Sequence, residues 1–208
     1  MKKVHLQGIL CLTICLIVMC FFPTTTKAQL NIAPLTSYPT WNADSLVRNI
    51  MLGEGVEISN VKLNNSLGVI GNQTGVGVFT TGNTQTNLGL TSGIILSAST
   101  MPYINTTGGT QANNSTLTGD DDLSAIVNQN NTNYSINNCM ILEFDFVPRA
   151  DSVRFRYVFA SEEYYGFECS AFNDIFAFFL TGVNPAGGIY NKKNIAIIPG
   201  TETAITIN

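Results

Sequence analysis

Glu162, Glu163, Glu168 and Asp174 lie close together in the run SEEYYGFECSAFND, with the amide of Asn173 and the rings of Tyr164, Tyr165 and Phe167 among them. Ionised and amide groups at this density are costly in an apolar interior unless they are paired or solvated. The stretch therefore reads as a polar loop on the rim of a hydrophobic body, with residues 161–166 forming a tight, glycine-terminated turn. Gathered oxygen donors suit a hard cation, which makes Glu162, Glu163 and Asp174 candidate calcium ligands. Paired carboxylates also serve glycoside hydrolysis when two of them stand at a set separation. The tyrosines offer a third use, because aromatic side chains give contact area at low entropic cost. In that case Glu162, Glu163, Tyr164, Tyr165, Asn173 and Asp174 are ligand-binding residues. A plainer reading is that Ser161, Glu162 and Asn173 only bond loop backbone groups.

A second acidic run, Asp120, Asp121 and Asp122, precedes Leu123, Ile126 and Val127, which share one helical face. It sits in a long polar insertion, 101–138, rich in Asn, Thr and Gly, and loops of that length often carry function. The acids either cap a short helix at its positive end or add ligands to a calcium site. Their spacing is not that of an EF-hand. The single histidine, His5, falls in the N-terminal leader. Ser-His-Asp and Cys-His catalysis and histidine-ligated zinc are therefore excluded from the rest of the chain.

Residues 1–28 read as a secretory signal peptide: Lys2 and Lys3, an apolar core over 9–22, then small residues before Gln29. The apolar run is short for a spanning helix. Export through the Sec pathway follows, to a secreted or cell-surface location. The leader holds three lysines, so the ten basic residues fall to seven against fourteen acids. Such an acidic chain is a poor partner for nucleic acid or an anionic membrane. Membrane contact is expected only through the leader or an anchor outside this sequence. Outside the leader, Cys139 and Cys169 remain. In an oxidising compartment a bridge between them is expected, worth roughly 3–4 kcal/mol by chain entropy; two separate thiols are the alternative.

The elements that must position these residues read as β. Residues 29–44 are a lead-in containing Pro34 and Pro39. Asp44 is placed to cap a short helix whose Leu46, Val47, Ile50 and Met51 share a face, with Gly53 as its stop. Val56 and Ile58 then alternate in one phase and Val61 and Leu63 in the other, which predicts a bulge or a turn near Ser59 and Asn60. Short apolar runs over 67–70, 76–80 and 93–97 are separated by Gly, Asn and Thr clusters, as in a sandwich or barrel. Alternation over 140–146 and 153–159, with a turn at 148–151, predicts a hairpin pairing Asp145 with Arg154, Glu143 with Arg156 and Phe144 with Phe155. Residues 175–180 are apolar in both phases, which suits one strand covered on both faces. Residues 195–198 read as another buried strand, and 203–207 begin one more that is barely finished: either the sequence is a fragment or the domain lacks a closing strand. The fold expected is all-β, a jelly-roll-like β-sandwich with one or two short peripheral helices.

SEEY, FND and FAFFLTG, preceded by ILEFDFVP and SVRFRYVFASEEY, resemble the choice-of-anchor L domain of secreted and surface proteins of Bacteroidota. GEGVEISNVKL and LGLTSGIILS upstream and NIAIIPGT downstream fit in the same order, so the likeness covers roughly 45–208. The resemblance implies one extracellular β-rich module with no established catalytic site, often beside a C-terminal anchoring segment. Residues 173–180 are also locally similar to the DGxAFFL segment of legume-type lectins, where the aspartate meets sugar beside calcium; here Asn-Asp-Ile replaces the Asp-Gly pair. The function expected is a non-enzymatic recognition or adhesion module whose extracellular ligand is a protein or a glycan. The alternatives are a calcium-dependent lectin and a carboxylate-dependent glycoside hydrolase.

Overall fold

The computed structural model describes residues 30–38, 40–64, 66–67, 75–98, 119–129, 133–161, 166, 169–170 and 172–207. In chain order these form β1 (Asn31–Pro34), α1 (Ala43–Leu46), β2 (Val56–Leu63), β3 (Ser66–Leu67), β4 (Val76–Thr80), β5 (Ser92–Leu96), α2 (Asp121–Val127), β6 (Leu142–Pro148), β7 (Asp174–Phe176), β8 (Phe179–Val183), β9 (Ile189–Asn194) and β10 (Ile205–Ile207). Every ladder is antiparallel. The sheet orders are β1-β4-β5, β3-β2-β6, β7-β10 and β8-β9. The fold is all-β with two short α-helices, as a β-sandwich requires. The leader lies outside the described residues, and among those no helix is long and apolar enough to cross a membrane.

The phase switch in β2 is a bulge. Its register against β6 shifts between Ser59 and Lys62, and Asn60 takes a φ of 52°, which asparagine tolerates better than most residues. The extra residue keeps Ile58, Val61 and Leu63 all buried. They join Leu35, Leu46, Val47, Val76 and Val78 in the core, with Phe144 and Phe146 of β6 packed at its edge. Leu46 and Val47 belong to α1 and the π-helical turn that continues it, Val47–Met51. Asn42, not Asp44, caps this helix, because its side chain sits one turn ahead and accepts from the Ser45 amide at 2.8 Å. Asp44 instead pairs with Arg48 at 2.6 Å one turn on.

The lead-in contains β1, which pairs with β4, and Leu35 after it is buried. Other sequence expectations change. The partner of β6 is β2, and 153–159 forms no strand. The acids of β6 find other partners there: Glu143 stands opposite Lys62, and Asp145 accepts from Asn60 Nδ2 at 2.6 Å. Arg149, beyond the strand, reaches Glu57, and Arg156 donates to the Gly89 carbonyl. Residues 153–159 are held by rings instead. Phe155 lies 6.4 Å from Phe146 and 4.7 Å from Phe178, and Tyr157 and Phe159 lie 5.1 and 6.2 Å from Phe176.

The apolar run 175–180 is two strands in two sheets. The break falls at Ala177 and Phe178, where the Phe178 amide leaves the ladder for Asn194 Oδ1 at 3.1 Å. Residues 195–198 carry only an isolated bridge, Ile197 with Ala204. Ala196 is buried there while Ile195 and Ile198 are exposed. The polar run 189–194 forms the strand instead, as the partner of β8.

Candidate functional site

The loop residues are anchored from both ends. Asp174 opens β7, where it faces Ile207 of β10 in the ladder. Ser161 Oγ donates to Asp174 Oδ2 at 2.7 Å, which ties the start of the loop to its end. Beside it, Asn173 Oδ1 is buried and without a hydrogen-bond partner. An unsatisfied buried carbonyl oxygen costs desolvation free energy, and such atoms call for an explanation in a native fold. The neighbouring Phe172 is 61% exposed, and its amide donates to Ser170 Oγ at 3.1 Å. Glu162, Glu163, Tyr164 and Tyr165 lie outside the described residues, as do Phe167 and Glu168. Of the ligand-binding candidates the structure therefore brings Asn173 and Asp174 together, with Ser161 as an added partner.

The aspartate run is a helix start. Asp120 Oδ1 accepts from the Leu123 amide at 2.8 Å, and Asp121 and Asp122 fill the first turn of α2. Acids there complement the exposed amides and the helix dipole. Asp122 also accepts from Lys192 Nζ of β9 at 2.9 Å, and this hydrogen bond raises the Lys192 pKa. Lysine in the middle of a polar strand gave no signal of this role in the sequence. α2 packs near β7, so the aspartate run and Asp174 lie in one region of the fold. Among the described residues no three His, Cys, Asp or Glu side chains are grouped to hold a metal ion.

The expected disulfide is not formed. Cys139 and Cys169 are both free thiols, the first buried and the second exposed. Cys139 lies beside Asp120, and burial, with the Asp120 charge behind it, pushes its pKa up to about 11. Cys169 stands in the loop with a φ of 59°.

The profile of the choice-of-anchor L domain matches residues 35–208. The chain belongs to that family. No curated protein and no solved structure matched it. The family name points to a secreted or surface module and assigns no reaction. The match begins ten residues or so before the boundary expected from the sequence, close to where Leu35 enters the core.

Proposed function

We propose that this choice-of-anchor L chain is an exported cell-surface recognition or adhesion module without catalysis of its own, and that loop 161–174 makes the contact. The observation that carries this reading is the pairing of a pinned loop with an unsatisfied group. Ser161 and Asp174 fix the loop ends, while Asn173 Oδ1 sits beside them with no partner. Contact residues held at the loop ends lose little entropy on binding, and an unpaired carbonyl oxygen gains most from a donor brought by a ligand. Surface display and Sec export accord with the family and with the leader-like residues 1–28.

The test is binding of the purified chain to a glycan array and to a panel of extracellular-matrix proteins. Wild type is expected to bind a member of one set, and Asp174→Ala to weaken that binding about tenfold, the worth of roughly one good polar contact. Equal binding by Asp174→Ala, or turnover of an arrayed polysaccharide, overturns the reading. Calcium is a second reading, favoured by the same orphan oxygen, since hard cations take amide and carboxylate oxygens. The fit is partial: Asp174 is bonded to Ser161, Asp122 to Lys192, and Asp120 caps α2. Titration calorimetry with calcium decides it, with heat lost in Asn173→Ala expected if the cation binds there.

A further inference from the structure

The first strand pair opens into a cavity of about 360 Å³, near the lower end of the range for small-molecule sites. Its floor follows from the register. Asn31 pairs with Thr80 and Ala33 with Val78, so these four side chains share one face of the β1–β4 ladder. Val78 and Ala33 make a small apolar floor at the margin of the core, and Asn31 and Thr80 stand side by side at its exposed end. Tyr38 forms the wall. Its ring stacks on Trp41 at 4.5 Å and 22°, which fixes its orientation from behind. The remaining described lining residues are aliphatic, so none of the described lining residues carries a formal charge. Thr80 Oγ1 accepts from the Gly82 amide at 3.1 Å, which leaves its hydroxyl proton to donate outward.

An aromatic wall, a narrow apolar floor and one amide beside one hydroxyl select a small neutral ligand with both a flat apolar face and hydroxyl groups. The geometry points to a subsite for one neutral sugar ring, stacked on Tyr38 and hydrogen-bonded by Asn31 and Thr80. A charged sugar would find no counter-charge among the described lining residues. This site is separate from loop 161–174 and does not depend on the reading given for that loop.

Trp41 is the only tryptophan of the chain, so its emission reports on the wall of this cavity alone. The experiment is fluorescence titration of the purified chain with cellohexaose, xylohexaose and mannohexaose, and with an oligogalacturonate as the anionic control. One of the neutral sugars is expected to give a saturable change. Asn31→Ala and Thr80→Val, at exposed positions, are expected to raise its Kd about tenfold each, as losing one hydrogen bond does. Both variants should keep the wild-type circular dichroism spectrum. No response to any neutral sugar, stronger binding of the anionic control, or unchanged affinity in both cavity variants overturns the proposal. Loss of the response in Asp174→Ala also overturns it, by placing the sugar at the loop.

Discussion

Single residues in this fold act through what they touch. Asp174 and Asn173 illustrate how far a sequence can speak. Their types and their place before an apolar run marked them for a polar rim, and they lie together at the start of β7. Ser161 as the partner of Asp174 was not legible, because the positions between them say nothing about where the loop closes. Two residue-level predictions follow from contacts of other groups. A Cβ on Gly119 would come within 2.3 Å of the Ile136 carbonyl oxygen, a backbone atom that cannot swing aside. Gly119→Ala is therefore expected to destabilise the chain by about 1–3 kcal/mol, the usual cost of overpacking, read from urea denaturation. Cys139 is expected to resist thiol reagents at pH 8 in the native state while Cys169 reacts. The folded pKa of Cys139, about 11, lies above its ordinary 9.0, so the native state holds its proton longer. Stability is unaffected by this group below the lower value and falls as pH rises through that window, because the unfolded chain ionises first. Denaturation midpoints measured across it in wild type and Cys139→Ala test the sign: the wild type should lose the more.

Elements depend on register, and β2 shows why. Its two hydrophobic phases predicted a bulge or a turn from the residue order alone, and the bulge is what forms, since an unbroken strand can bury Ile58 and Leu63 together only if one residue steps out. Asn60 is that residue. Deleting it would turn one end of the strand to the wrong face, and the deletion is expected to abolish cooperative unfolding by circular dichroism. The partner of β6 could not be read with equal ease. Residues 153–159 alternate as well as β2 does, and Arg154 and Arg156 match the acids of β6 as well as Lys62 and Asn60 do. Local pattern does not rank two suitable partners; the core under β2 does. The split between β7 and β8 was hidden for a related reason. Apolarity in both phases describes a covered strand, and the chain uses it for two covered strands joined by a corner at which Asn194 receives the stray amide. At the helix, Asn42→Ala is expected to cost about 0.5–2 kcal/mol by thermal denaturation, as loss of a cap does, while Asp44→Ala should cost only a few tenths.

At the scale of the molecule, stability rests on one core between α1 and the sheets of β2 and β4. Leu46 is fully buried there, and Leu46→Ala is expected to lower stability by about 2–5 kcal/mol in urea titrations. Asn173 and Asp174 belong to the β7 region and take no part in this core. Substitutions in the two places should therefore separate cleanly, with core variants losing stability and loop variants losing contact with a ligand. The all-β class and the family were legible because many short signals agreed along the chain, from the bulge at Asn60 to the FAFFLTG run. The cavity under Tyr38 was not, since it arises from strands separated by forty residues or so and from small side chains that carry no motif.

Residues 153–160 are fixed by their rings, yet among the described residues their main-chain amides take part in no backbone ladder. Deuterium should therefore enter this stretch within the first seconds of exchange, while β2 and β4 on either side of the core stay protonated for hours. A segment held in place by its aromatic side chains would look molten to a mass spectrometer, and a protease would meet the exposed Arg154, Arg156 and Val158 between aromatic posts.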